Sequence, residues 1–241
     1  MMKTILITGA SSGIGQTLAR YAADKGYQVI ACGRNQQKLD ELAKHQKITT
    51  FTFDVTELEQ TKQALSSVEA DIYVFNAGVC EYVDVNSFES ALFQRVFSAN
   101  FFGIVHCIEA ILPKLKAGNQ VVVVDSLARL LPFTRSQAYG ASKAALHYFS
   151  KSLEVDLASR NVSFQSVSPG FVETPLTQQN DFDMPMKIST EQAAKSLLRG
   201  IEKRKSSIYF PSLFSLILRC LNMLPDSWQV SLCKKMKEQE K

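Results

Sequence analysis

The sequence is short of the residues that build metal sites, disulfide scaffolds and fibres. It has three histidines, five cysteines, eleven glycines and seven prolines in 241 residues. So little Gly and Pro excludes a fibrous or low-complexity chain. The cysteine count is odd, no CxxC or Cys/His cluster occurs, and His45, His106 and His147 have no convincing partners. No metal site is therefore expected, and a reducing compartment is the simplest reading. Cys32 and Cys107 fall inside apolar runs and read as buried small hydrophobes. Long hydrophobic runs are missing too. The densest, Ile208 to Leu224, contains Ser212, Ser215, Arg219 and Asn222, and is too short and interrupted for a membrane span. The first residues enter the strand-like run Thr4-Ile5-Leu6-Ile7 at once, a pattern that fits no signal peptide. There is no Gly/Ser linker and no internal repeat.

An excess of one charge is absent from the body of the chain. Net charge is +4, yet residues 203–241 hold eight Lys/Arg and three acids, leaving the other 202 residues at −1. A nucleic-acid-binding face on the body is thereby disfavoured.

What is present is a globular composition, 46% hydrophobic and 21% charged. Short β-branched or aromatic runs at Ile5–Thr8, Gln28–Cys32, Thr49–Phe53, Ile72–Phe75, Val121–Asp125 and Val162–Val167 alternate with helical stretches. A seventh run, Ser207–Phe210, stops at Pro211. Repeated β-α-β units with near-continuous apolar strands imply an α/β, doubly wound, Rossmann-type parallel sheet of about seven strands, with helices on both faces. Residues 1–210 read as one dinucleotide-binding and catalytic domain, and 211–241 as an amphipathic basic appendage.

Thr8-Gly9-Ala10-Ser11-Ser12-Gly13-Ile14-Gly15 follows the first strand and opens the first helix. Glycines permit a tight turn and close approach of the backbone, and the helix start offers free N–H groups to a pyrophosphate. This T-G-x-x-x-G-x-G pattern resembles the fingerprint of the short-chain dehydrogenase/reductase family. Further elements follow in the family's order over residues 3–210.

The corner after the second strand, Ala31-Cys32-Gly33-Arg34-Asn35, lacks the acid that an NAD site commonly places on the ribose. Arg34 can instead pair with a 2′-phosphate, so the resemblance implies NADP(H), with NAD(H) as the lesser alternative. By the same resemblance Asp54 and Val55 contact adenine, and Asn76-Ala77-Gly78 lies along the adenosine ribose. Pro169, Gly170, Val172 and Thr174 match a loop that grips the carboxamide.

Tyr139-Gly-Ala-Ser-Lys143 matches the family's Y-x-x-x-K. Spacing of i and i+4 sets the two side chains one above the other on a helix. A Lys one turn away, with the positive nicotinamide nearby, is expected to favour the phenolate, making Tyr139 an acid–base group. Lys143 would also bond the nicotinamide ribose. The resemblance assigns Ser126 to the substrate oxygen and Asn100 to a water that links Lys143 with solvent. Asp125 and Arg129 depart from the family's usual Ser and Gly. Asp125 is expected to be a buried acceptor, and Arg129 either a surface charge or an edge of the substrate mouth.

Pro175–Ile188 is the family's lid, here with Leu176, Phe182, Met184 and Met186. Methionines adapt to irregular apolar ligands. From Ser212, polar residues recur at 212, 215, 219 and 222, one stripe of an otherwise apolar helix of about thirteen residues. Residues 203–235, with Trp228 at headgroup level, fit peripheral contact with a membrane, docking on the parent domain, or an oligomer contact. The expected activity is NADPH-dependent reduction of a ketone or aldehyde, reversible to alcohol oxidation, on a hydrophobic small molecule. A cofactor-binding sensor and a membrane-peripheral scaffold are the rival readings. A homodimer or homotetramer joined through residues 97–115 and 139–157 is expected by resemblance, in the cytoplasm or at the inner face of a membrane.

Overall fold

The computed structural model of the chain describes residues 2–180 and 182–239. Asp181 of the lid segment and Glu240 and Lys241 of the tail lie outside the described residues. Seven strands form one sheet: β1 (Thr4–Thr8), β2 (Gln28–Gly33), β3 (Ile48–Thr52), β4 (Ile72–Phe75), β5 (Gln120–Val124), β6 (Ser163–Pro169) and β7 (Ser207–Phe210). All neighbours are parallel, in the order β3-β2-β1-β4-β5-β6-β7.

Both faces are covered, which is why the strands read as unbroken apolar runs rather than alternations. Successive residues point to opposite faces. Ile5, Ile7, Val29 and Val122 share a core with α1 (Gly13–Asp24), α2 (Gln36–Ala43) and α7 (Thr190–Glu202). Leu6, Tyr73, Phe75 and Val121 share the other core with α3 (Leu58–Leu65), α5 (Gly103–Ile111) and α6 (Gln137–Asp156).

The chain runs outward from β1 to β3, then returns to β4 on the other side of β1. That reversal opens a crevice at the carboxyl ends of β1 and β4. A second helix on the α5 side, α4 (Ser90–Phe97), continues through a π-helical turn at Ser98–Phe102 into α5. The continuous stretch Ser90–Lys114 is long and apolar enough to cross a membrane by length and composition. Ile104, Cys107, Ile108 and Ile111 spend that apolar character on the sheet.

The tail forms α8 (Ser212–Leu221) and α9 (Asp226–Gln239). Leu218 and Cys233 join Leu127, Leu130 and Leu131 in a separate cluster, and Asn222 Nδ2 donates to the Leu130 carbonyl at 2.6 Å. The tail thus docks on the segment between β5 and α6. Two details differ from the sequence pattern. The helix ends at Leu221, three residues early. Its polar stripe does not face water as a unit either, since Ser215 is buried while Leu213, Leu216 and Ile217 are exposed. Ser215 tolerates burial because its hydroxyl donates to the Ser212 carbonyl at 2.8 Å.

Candidate active site

The crevice over β1 and β4 is a cleft of about 230 Å³. Its walls include Gly9, Ser11, Ser12, Gly13, Ile14, Arg34, Asp54, Val55, the Asn76-Ala77-Gly78 turn and Thr174. Gly9 and Gly13 have φ of +67° and +55°, a left-handed backbone that glycine adopts without a Cβ clash. The start of α1 has no acidic residue in its first turn, and Ser12 makes no side-chain cap, so the positive helix end faces the cleft unneutralised. Asn76 ties the turn to β1: its Nδ2 donates to the Thr8 carbonyl at 3.2 Å, and its backbone N–H donates to Thr8 Oγ1 at 3.1 Å. Thr174 sits across the cleft, its Cγ2 3.2 Å from where a Cβ on Gly13 would stand. The chemistry of these donors, backbone amides and hydroxyls around a positive helix end, fits a dinucleotide.

Arg34 Nη1 lies 3.2 Å from Asp54 Oδ2, with its side chain 65% exposed. Such an exposed pair contributes little to stability. Partial burial opposes ionisation of Asp54, but hydrogen bonds from the Thr56 backbone and hydroxyl, and then Arg34, outweigh it, and the carboxyl stays below its ordinary range. Asp54 caps its own turn in this way, and Glu57 at the start of α3 makes no side-chain cap.

At the inner end of the cleft the structure brings Asn100, Ser126, Tyr139 and Lys143 together. Asn100 lies in the π-helical turn, fully buried. Its Oδ1 accepts from the Val79 N–H at 2.7 Å, and its Nδ2 donates to the Val79 carbonyl at 2.9 Å and to Ser142 Oγ at 3.0 Å. The amide therefore splices the β4 exit loop to α6. A Cβ on Gly78 would stand 2.9 Å from Asn100 Oδ1 and 3.4 Å from Lys143 Nζ, so Gly78 keeps the passage to the lysine open.

Lys143 is buried and donates to the Val124 carbonyl at 2.9 Å. Burial pushes its ammonium down to about 8, against the opposing pull of Asp125 and Cys80. Its Nζ stands 5.9 Å from the Tyr139 ring centre. Tyr139 is half-buried by surface exposure, yet burial is the largest influence on its phenol. Burial and Cys80 raise it, a hydrogen bond with the Ser126 side chain lowers it, and the net shift is upward. Burial therefore sets the direction for the phenol in the protein alone, before the positive nicotinamide that the expectation also counts on is added. Tyr139 holds its proton at neutral pH. Ser126 follows β5 and accepts from the Ala128 N–H at 3.1 Å, which fixes its rotamer.

Asp125 and Arg129 turn away from the pocket. Arg129 is neither a solvated charge nor an edge of the mouth: its side chain is 11% exposed, and Nε lies 3.4 Å from Asp125 Oδ2. The contact is charge proximity without alignment, since Arg129 Nε and Asp125 Oδ1 have no hydrogen-bond partner. His147 Nδ1 completes the group, 2.7 Å from Asp125 Oδ2. Among the described residues no backbone N–H donates to the Asp125 carboxylate. His147 continues the row of Tyr139 and Lys143 by one further turn, and that i, i+4, i+8 spacing was the legible signal for it.

Asp125→Asn should leave the buried guanidinium without its counter-charge and cost about 3 kcal/mol. Urea unfolding would measure it. Adding Arg129→Met should recover about 1 kcal/mol or more, whereas strictly additive losses would show that the two do not interact.

A second cavity, about 180 Å³, opens beside Ser126 and Tyr139. Its lining comes from several separate segments, among them Cys80 and Tyr82, Phe171, the lid residues Leu176 and Phe182, and the tail residues Phe214 and Leu218. Aromatic contacts link them: Tyr82 to Phe182 at 5.8 Å, Phe182 to Phe171 at 6.1 Å, and Phe171 to Phe214 at 5.6 Å. Gly170 permits the last contact, for a Cβ there would fall 2.9 Å from Phe214 Cδ1. Lid and tail residues were visible as apolar segments, but the place of Cys80 and Tyr82 was not. The Cys80 thiol is pushed up to about 11 by burial, so it stays a thiol and is a poor nucleophile. Pro169 ends β6, and Val172 is buried and bridges to Ile188, which anchors both ends of the lid.

The chain belongs to the short chain dehydrogenase family, whose model matches residues 3–184. An oxidoreductase of Myxococcus xanthus is 31% identical over 236 residues, covering 93% of each chain. Serine 3-dehydrogenase of Agrobacterium fabrum is 33% identical over 211 residues, 83% of this chain and 82% of that one. Retinol dehydrogenase 8 of Homo sapiens is 37% identical over 185 residues, 71% of this chain and 60% of that one. A short chain dehydrogenase from Burkholderia cenocepacia, solved in complex with NADP, shares the fold with a TM-score of 0.85 at 22% identity, covering 96% of this chain and 97% of that one. The protein is accordingly an NAD(P)-dependent oxidoreductase acting on CH–OH and carbonyl groups.

Proposed function

We propose that the protein uses NADPH to reduce a ketone or aldehyde carried on a hydrophobic small molecule. The observation that carries this reading is Tyr139, bonded to Ser126 and lining an apolar cavity that shares Leu176 with the dinucleotide cleft. When bound, the nicotinamide cofactor supplies the hydride. Ser126 holds the substrate oxygen and offsets its developing charge. Tyr139 donates its proton to that oxygen, which suits a phenol whose environment keeps it protonated. Lys143 holds positive charge at the inner wall, and the Asn100 amide fixes the loop that frames it. The reverse oxidation uses the same groups.

Arg34 supports NADPH over NADH, because the corner presents a guanidinium and no carboxylate of its own. Direct titration followed by the fluorescence of the reduced nicotinamide tests this. NADPH should bind about tenfold or more tightly than NADH, and Arg34→Ala should erase that margin while leaving NADH unchanged. Equal affinities in the unmodified protein would remove Arg34 from the cofactor site, and binding of neither would favour the membrane-peripheral scaffold. A carbonyl screen with NADPH then tests the reaction. Phe102, Tyr148 and Val155 are exposed apolar side chains on the helices expected to join subunits, which supports a homodimer or homotetramer. NADPH as the working reductant fits a cytoplasmic enzyme.

A further inference from the structure

We infer that the outer face of α8, together with the start of α9, seats on an anionic lipid bilayer, and that the cavity behind it draws a lipophilic carbonyl compound from that surface. The second half rests on the hydrophobic-substrate reading above; the first stands on the tail alone.

The rotation of α8 is the primary observation. Of its polar stripe Ser215 alone is buried, at 3% exposed, and Leu213, Leu216 and Ile217 are 60%, 55% and 40% exposed beside it. Met223 and Trp228, next along the chain, are 86% and 64% exposed. A contiguous apolar face of this kind on a folded domain marks a contact surface. Ten residues of helix reach about 15 Å, half of a hydrocarbon core, so α8 lies along an interface and does not cross it. Trp and Met around a short amphipathic helix suit the boundary between headgroups and acyl chains.

Charge decides the occupant. In the described tail Arg219, Lys234, Lys235 and Lys237 outnumber Asp226 and Glu238 by two within 29 residues, while residues 1–210 carry +2 in all. A second copy of the chain on this face would bring like charges together, which disfavours it. An anionic surface complements them. The inner faces of the same two helices supply Phe214, Leu218, Cys233 and Met236 to the cavity beside Tyr139. One helix layer therefore separates the contact face from the candidate catalytic groups. Leu176 and Met186 of the lid add exposed apolar surface, and Leu176 also lines the cavity.

Sedimentation of the full chain with vesicles tests the inference. It should bind phosphatidylcholine mixed with phosphatidylglycerol, and bind phosphatidylcholine alone about tenfold less well. The variant carrying Leu216→Ser and Ile217→Ser should lose about tenfold or more on mixed vesicles, as should the variant carrying Lys234→Gln and Lys235→Gln. NADPH affinity, measured on each variant, should not change, which shows that the fold and the cofactor site survive. No sedimentation of the unmodified chain would overturn the inference, as would variants that bind vesicles as it does. A dimer in light scattering that the Leu216→Ser, Ile217→Ser variant splits would also overturn it, by making the face a contact between copies. Any of these results with NADPH binding intact would leave the oxidoreductase reading standing.

Discussion

Tyr139→Phe should reduce turnover about a thousandfold, with NADPH affinity unchanged within about threefold. The substitution deletes one oxygen. The ring remains beside Lys143, and Ser126 keeps its bond from the Ala128 N–H, so the cavity and the cleft are preserved. What is lost is the only phenol that is hydrogen-bonded to Ser126 among the described residues. A thousandfold corresponds to about 4 kcal/mol of barrier, within the range that a positioned proton donor supplies. Steady-state reduction of a carbonyl substrate, with nicotinamide fluorescence for binding, separates the two effects. Retention of more than about a tenth of the activity would assign the proton to another group.

The pH profile adds a sign that can be checked. Burial pushes the Lys143 ammonium down from its ordinary value to about 8. Below that value it is a cation, and above it the charge beside Tyr139 is lost. Reduction should therefore hold steady through neutral pH and fall as pH rises through about 8. A rate that climbs through that window would contradict a role for the lysine's charge.

Much of this arrangement was readable from side-chain pattern. The strands fall within about two residues of the apolar runs, because burial on both faces demands unbroken β-branched and aromatic residues. The Tyr139–Lys143 row follows from helical spacing alone. Three features were not readable, each for a physical reason. The π-helical turn at Ser98–Phe102 changes the helix period around Asn100, and no composition rule announces it. Arg129 was expected as a surface charge or at the edge of the substrate mouth, since a lone Arg on a loop is normally solvated. Its contacts with Asp125, which is itself held by the distant His147, and with Ser168 turn it inward. The orientation of α8 depends on which side offers a fitted cavity: Gly170 admits Phe214, and that choice carries Ser215 in and Leu216 out. Periodicity identifies the two stripes of an amphipathic helix, but tertiary contacts decide which residues of each are covered.

The other large effect expected is at Gly15. A Cβ there would overlap the Gly9 carbonyl oxygen and stand 2.6 Å from Asn76 Nδ2. Neither can yield easily. Gly9 is fixed in a left-handed conformation, and Asn76 is tied to the Thr8 and Gly9 carbonyls. Gly15→Ala must therefore push α1 away from the turn. The overpacking should cost about 3 kcal/mol, lowering the melting temperature by about 6–12 °C for a chain of this size. It should also weaken NADPH binding about a hundredfold, since the N–H groups at the start of α1 would leave their places around the cleft. Gly33→Ala is the matched comparison. Its Cβ would meet Ser11 Oγ at 3.2 Å and Ser11 Cβ at 3.3 Å, contacts that a shift of a few tenths of an ångström relieves, so stability should change by less than about 1 kcal/mol. Thermal unfolding with and without NADPH distinguishes the positions. If Gly15→Ala were destabilised but bound NADPH with full affinity, the glycine would serve only the packing of α1 on the sheet, and the turn would lose its place in the cofactor site.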